Sequence, residues 1–250
     1  MTLLDQRVVW ITGASGAIGS AIAHRACQEG AQVILSGRTL SALNAIAEQL
    51  TDKGYQALAI QTDVSVAESV QQAIEQILSR FKRIDCLVNS TSISAFGSFL
   101  DLSDETWLGV IEAKLFGYMR TMRAVLPHMV AQGSGSIVNI SGRSGHQPTT
   151  THLPGACANA AINVLDKGLA DAMIEHGIRV NTVAPGPIVS ERFEKLQSMT
   201  AAIAGQKVQQ FKQAGTPEDV SNAVVWLLSE QARHITGTVM SVDGGATATV

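Results

Sequence analysis

Val8-Val9-Trp10-Ile11-Thr12-Gly13-Ala14-Ser15-Gly16-Ala17-Ile18-Gly19 is the stretch whose reading fixes the fold class. Val8 to Ile11 form a short apolar run ended by Thr12-Gly13, the pattern of a strand buried on both faces of a parallel sheet. From Ile18 to Gln28 the apolar residues follow helical spacing, and Gly30 closes the helix. A glycine-bearing turn between strand and helix leaves open amides at the helix N-terminus, where a pyrophosphate can be cradled. Gly13 permits the tight turn, and Gly19 lets the helix pack closely on the sheet. Glycines alone are a weak signal; between a strand and a helix they are a strong one.

The same alternation runs outward along the chain. Val33–Leu35, Leu58–Ile60 and Ile84–Val88 read as further strands, with helices over Ser41–Leu50 and Val66–Phe81. The pattern then predicts a long helix over Asp104–Ala131, kinked at Pro127, and a strand at Ser136–Ile140. An Ala-rich helix over Pro154–His176 and a strand at Arg179–Val183 follow. Thr216-Pro217-Glu218-Asp219 opens a last helix, with Thr as N-cap, Pro in the first turn and acids against the dipole. Thr238–Val242 ends the sheet. Short strand–helix connections imply right-handed crossovers and a parallel sheet covered on both faces. The expected fold class is therefore α/β, a single doubly wound Rossmann domain of about seven parallel strands over residues 1–250, without linker or repeat.

Composition narrows the partners. Hydrophobic residues make up 46% of the chain and charged ones 16%, the balance of a globular protein. A net charge of −3 and scattered basic residues argue against nucleic acid as a partner. No uninterrupted apolar stretch of about 20 residues occurs, so no membrane span is expected. The N-terminus carries no secretory pattern. Cys27, Cys86 and Cys157 are odd in number and lack metal-ligand spacing, so no metal site is expected. Each lies in an apolar stretch and reads as a buried reduced thiol, which fits a cytoplasmic protein. The second strand ends in Leu35-Ser36-Gly37-Arg38, where an acid would hold the adenosine ribose hydroxyls. The guanidinium there suits a 2′-phosphate instead, so NADP(H) is the favoured cofactor, with NAD(H) as the alternative.

With these residues in place, the chain resembles the short-chain dehydrogenase/reductase superfamily over nearly its whole length. Thr12, Gly13 and Gly19 match that family's Thr-Gly-x-x-x-Gly-x-Gly turn, with Ala17 in place of the middle glycine and Gly16 beside it. Asp63-Val64 resembles the adenine-contacting pair. Asn89 resembles the start of an Asn-Asn-Ala-Gly motif, continued here by Ser90-Thr91-Ser92. Asn181-Thr182-Val183-Ala184-Pro185-Gly186 resembles the nicotinamide-side motif, and Ser190 stands where a carboxamide-binding Thr is common. Gly237 through Val242-Asp243-Gly244-Gly245 resembles the final strand and its exit. The resemblance implies cofactor contacts from Gly13, Ser15, Ile18, Gly19, Arg38, Asp63, Val64, Asn89, Asn159, Pro185, Gly186, Ile188 and Ser190. It also implies a small-molecule substrate and a homotetramer or homodimer, in which the long fourth helix and the Ala-rich helix pair between subunits.

The catalytic half departs from the family. Its chemistry uses a Tyr that exchanges a proton with the substrate oxygen, a Lys four residues on, a Ser upstream and a helix Asn. Those positions fall on Gly155, Asn159, Gly142 and Lys114. The chain's two tyrosines, Tyr55 and Tyr118, have no Lys four residues later, so no shift of register restores the pair. A divergent branch of the superfamily has Lys for the helix Asn, Asn for the Lys and a Tyr three residues upstream; His152 holds that last site.

His152, Lys114 and Ser141 are the candidate catalytic residues. His152 can exchange protons near neutral pH. Lys114 can supply a cation beside the reacting oxygen, and Ser141 can hydrogen-bond it. Asn159 can bind the nicotinamide ribose, and Ser144 and His146 share the same loop. The residues alone equally allow a capping His152, a solvated Lys114 and a plain loop hydroxyl at Ser141. The leading expectation is an NADP(H)-dependent oxidoreductase acting on an alcohol or carbonyl through an atypical site. A dinucleotide-binding protein without hydride transfer, and a lyase or isomerase using the same pocket, are the alternatives. Phe193, Leu196, Met199, Ile203 and Phe211 mark residues 189–214 as an amphipathic substrate lid facing Ile93, Phe96 and Phe99.

Overall fold

The computed structural model describes residues 2–93, 95–190 and 214–247. The first half runs β1 (Val8–Thr12), α1 (Ala17–Gln28), β2 (Gln32–Gly37), α2 (Leu40–Thr51), β3 (Ala57–Gln61), α3 (Ala67–Phe81) and β4 (Cys86–Asn89). The second runs α4 (Asp104–Ile111), a π turn (Glu112–Phe116), α5 (Gly117–Gln132), β5 (Gly135–Ile140), α6 (Leu153–Met173), β6 (Ile178–Pro185), α7 (Pro217–Leu228) and β7 (Val239–Val242). One seven-stranded sheet, all parallel, takes the order β3-β2-β1-β4-β5-β6-β7. The expected single Rossmann-like domain is present.

Burial on both faces explains the unbroken apolar runs. All five residues of β1 are buried. Val9 and Ile11 pack with Ile22, Leu43 and Val224 on one side, while Val8 and Trp10 pack with Ile74 and Val125 on the other. A strand clothed twice has no polar face to alternate with.

Two expectations need correction. The helix expected over Asp104–Ala131 is two helices joined by a π turn, so the change of hydrogen-bond register falls at Glu112–Phe116, with Pro127 inside α5. Cys27 and Cys86 are buried, and burial pushes both thiols up to about 12. Cys157 is exposed, because the buried face of α6 at that turn belongs to Gly155, Ala156, Ala158 and Asn159. Among the described residues, no helix is long and apolar enough to cross a membrane.

A polar row crosses the sheet just before the strands end. Thr12, Asn89, Asn139 and Thr182 are successive register partners on β1, β4, β5 and β6. The Thr12 hydroxyl donates to Asn89 Oδ1 (3.0 Å), and Asn89 Nδ2 donates to Asn139 Oδ1 (2.9 Å). Asn139 Nδ2 and the Thr182 hydroxyl then donate to the two carboxyl oxygens of Asp166 on α6, at 2.7 and 2.5 Å. Farther along, Val189 N donates to Gly215 O and Gly215 N to Pro187 O, both at 2.9 Å. The chain thus returns beside the point where it left the sheet. The lid residues Phe193, Leu196, Met199, Ile203 and Phe211 lie outside the described residues, and only the two ends of 189–214 are described.

Candidate active site

Strand order reverses between β1 and β4, and the carboxyl ends of the strands open there into a crevice, the usual ligand position in an open α/β sheet. Two clefts occupy it, of about 780 and 400 Å³. They share Gly16 and the segment Ser90–Ile93 as a common wall.

The backbone of the first turn is pressed against its surroundings. Gly13 has φ +67°, and a Cβ there would stand 2.6 Å from the Ser90 carbonyl oxygen; a Cβ on Gly19 would stand 2.3 Å from that of Gly13. Only glycine fits at either place. Gly16 caps α1 without a side-chain hydrogen bond, so the first amides of the helix stay open where Ala17 and Ile18 meet the larger cleft. Ser15, Arg38, Asp63 and Val64 line the smaller cleft beside Gly13. The Ser65 hydroxyl (2.6 Å) and amide (2.9 Å) donate to Asp63. That hydroxyl is the main reason the Asp63 carboxyl sits below its ordinary range; burial opposes it, and the Ser65 amide and nearby Arg38 add to it. Open amides at a helix N-terminus and an exposed guanidinium farther along the crevice fit the pyrophosphate and a 2′-phosphate of a dinucleotide.

The far end of the larger cleft gathers the candidate catalytic residues. Lys114 sits in the π turn, only 7% exposed, and its Nζ donates to the Ser141 carbonyl oxygen at 3.0 Å. His152, at the N-cap of α6, stacks on Phe96 with ring centroids 4.4 Å apart and planes 11° apart. Its Nδ1 lies 3.2 Å from the Ala95 carbonyl oxygen. A carbonyl only accepts, so in this hydrogen bond Nδ1 is the protonated nitrogen. A Cβ built on Gly155 would lie 2.2 Å from both Cε1 and Nε2 of His152. The imidazole therefore fills the space that a side chain at 155 would take. A Cβ on Gly142 would likewise stand 2.8 Å from Asn159 Nδ2. Asn159 donates to the Ser144 hydroxyl at 2.9 Å, while its Oδ1 and the Ser141 hydroxyl are buried without a partner among the described residues. Orphaned polar atoms at this end are what a nicotinamide ribose or a substrate oxygen would satisfy.

Each sequence-derived residue can now be placed. Ile18, Gly19, Lys114, Ser141, His152, Asn159, Pro185, Gly186, Ile188 and Ser190 line the larger cleft, and Gly13, Ser15, Arg38, Asp63 and Val64 the smaller. Asn89 is fully buried behind the wall, within the polar row. The Tyr118 hydroxyl lies 3.0 Å from the carbonyl oxygens of both Thr91 and Ile140, and its single proton serves them. His146 is exposed, 3.3 Å from Asn163 Nδ2. Sequence reasoning missed the Ala95–Phe96 support of His152, which comes from a distant loop and leaves no local signal. It also missed Arg143, although the residue directly follows Ser141-Gly142.

Comparison with known proteins identifies the family and the fold. A family model described as enoyl-(acyl carrier protein) reductase matches residues 13–247. The chain is 32% identical over 256 residues to the uncharacterized oxidoreductase YvrD of Bacillus subtilis, covering 97% of each chain. It is 31% identical over 238 residues to the 3-oxoacyl-[acyl-carrier-protein] reductase FabG of Staphylococcus epidermidis, covering 94% of this chain and 96% of that one. The structure of L-sorbose reductase from Gluconobacter frateurii, complexed with NADPH and L-sorbose, superposes with a TM-score of 0.92 at 29% identity over the full length of both chains.

Proposed function

The chain belongs to the short-chain dehydrogenase/reductase superfamily and is an oxidoreductase of that type, and from this premise we propose that it interconverts an alcohol and a carbonyl using NADP(H), with His152 in the role of proton exchanger. The observation that carries the reading is the His152 ring lying where a side chain at 155 would begin. NADP(H), when bound, supplies or accepts the hydride. Its adenosine end would meet Arg38, its pyrophosphate the amides at the start of α1, and its nicotinamide ribose Asn159. That its G. frateurii structural neighbour was solved with NADPH supports the choice of cofactor.

The proton relay follows from the hydrogen bond that His152 makes. With Nδ1–H given to Ala95, a neutral ring offers the Nε2 lone pair and takes the hydroxyl proton in alcohol oxidation. A protonated ring offers Nε2–H and returns that proton in carbonyl reduction. Lys114 places a buried ammonium on the same wall, where it stabilises negative charge developing on the substrate oxygen, and the Ser141 hydroxyl orients that oxygen. A homotetramer or homodimer is proposed as well, because Leu108 on α4, Phe116 in the π turn and Val164 on α6 are exposed apolar side chains. The unpaired cysteines suit a reducing cytoplasm.

Nucleotide titration followed by turnover tests the reading. NADPH is expected to bind more tightly than NADH, with Arg38→Ala removing the preference. Loss of NADPH absorbance is expected with part of a carbonyl panel, and His152→Gln and Lys114→Met are each expected to lower kcat by about 10²-fold. Tight NADPH binding without turnover across the panel would replace the reading with a dinucleotide-binding protein that transfers no hydride. Activity without nucleotide would replace it with lyase or isomerase chemistry.

A further inference from the structure

We propose that the substrate carries an anionic group, a carboxylate, and that Arg143 is the residue that selects for it. The inference rests on the larger cleft being the substrate site, and it adds the chemical class of what enters. Arg143 stands in the short turn Arg143–Gly145, one residue beyond the Ser141-Gly142 pair, and lines that cleft. Its Nε is buried without a hydrogen-bond partner among the described residues. No carboxylate among the described residues comes within ion-pairing distance of its guanidinium. Asp243, at the exit of β7, feels its charge: burial pushes that carboxyl up, but donors from Thr247 and Gly245, helped by Arg143, hold it below its ordinary range. Asp243 spends its oxygens on the amides of Gly245 (3.0 Å) and Thr247 (2.8 Å) and makes no bridge to Arg143.

The wall around the guanidinium is one-sided in charge. Among the described residues the larger cleft is lined by Lys114, Arg143 and His152 and by no Asp or Glu. A half-buried guanidinium with an unsatisfied donor is costly to hold unless an anion completes it. Arginine's planar fork matches a carboxylate with two parallel hydrogen bonds, which a lysine cannot reproduce. Phe96 and Ile93 border the same cleft, leaving room for an apolar body between the anion and the reacting carbon. The phosphates of the nucleotide are the competing anion. They have the open amides at the start of α1 to receive them, which leaves Arg143 for the substrate.

The test uses the full-length protein saturated with NADPH, titrated with benzoate or benzamide and followed by nucleotide fluorescence. Benzoate is expected to bind about ten- to a hundredfold more tightly than benzamide, the range of a hydrogen bond to a charged group. The preference should fall to within about twofold in Arg143→Gln and be partly kept in Arg143→Lys. In turnover, the kcat/KM of benzoylformate relative to its methyl ester should fall in parallel. Equal binding of benzoate and benzamide by the wild type, or an unchanged preference in Arg143→Gln, overturns the proposal. A loss of NADPH affinity in both variants with the benzoate preference intact also overturns it, assigning Arg143 to the nucleotide phosphates. A benzoate preference lost in Arg143→Gln, with no turnover of benzoylformate by the wild type, supports the anion site and leaves the hydride-transfer reading to the carbonyl panel.

Discussion

A methyl group on Gly155 would lie 2.2 Å from two atoms of the His152 ring, far inside van der Waals contact. Gly155→Ala must therefore push the imidazole off Phe96 and away from the Ala95 carbonyl. Alanine raises helix propensity by about 1 kcal/mol at a helical position, so stability should hold or rise slightly. Turnover should nonetheless fall about 10- to 100-fold, the loss typical of a reacting group displaced by an ångström. In a His152→Ala background the same methyl should change little, because the atom it strikes is gone. Melting curves and kcat for the two single variants and the double variant check this, and a fully active Gly155→Ala would remove His152 from the relay. The pair was half legible in the sequence. The three-residue spacing at a helix start brings 152 and 155 together in any fold, but the ring's stacking on Phe96 depends on a loop that only tertiary structure delivers.

Helix α7 shows how local and distant signals divide the work. Its start is written in the chain: Thr216 N donates to Asp219 Oδ2 at 2.8 Å and Asp219 N to the Thr216 hydroxyl at 3.4 Å, a reciprocal cap. Its end carries no basic residue of its own. Arg179 of β6 reaches it instead, donating to the carbonyl oxygens of Leu227 (2.7 Å), Leu228 (3.2 Å) and Ser229 (3.1 Å), and to that of Ile235 beyond (3.3 Å). Arg179→Met should destabilise the domain by about 2–4 kcal/mol, lowering Tm by roughly 5–15 °C. Thr216→Ala should remove only about 1 kcal/mol. Thermal melting of both variants separates the two, and equal losses would contradict the assignment. The start of α7 was therefore readable and its end was not. The π turn was unreadable for a related reason: Glu112-Ala113-Lys114-Leu115-Phe116 has the composition of ordinary α-helix, and packing chooses the wider turn.

Across the whole sheet, the polar row that starts at Thr12 ends on a carboxyl with only neutral partners. Burial pushes Asp166 up to about 7, with the Thr182 and Asn139 donors only partly offsetting it. An acid held above its unfolded value keeps its full contribution to stability below about pH 4 and loses it as pH rises through about 7. Wild-type stability should fall by roughly 4 kcal/mol over that window from this group alone. Asp166→Asn can accept from Asn139 and donate to Thr182, so it should flatten that part of the profile and be the more stable form at pH 8. Urea midpoints between pH 5 and 8 check the sign, and parallel curves would contradict it. Fold class, strand number and the strand–turn–helix crevice were legible at this scale because parallel strands must be apolar throughout. The row was not, since Thr12, Asn89, Asn139 and Thr182 become neighbours only through register. The hydrogen bonds joining Pro187, Val189 and Gly215 have a consequence of another kind. They pin both ends of the intervening chain to the scaffold, and closing such an excursion grows harder by only about 0.6 kcal/mol for each doubling of its length. In loop-closure terms alone, a change in the number of residues between the two ends costs little, so the same junction can serve chains that differ there in length.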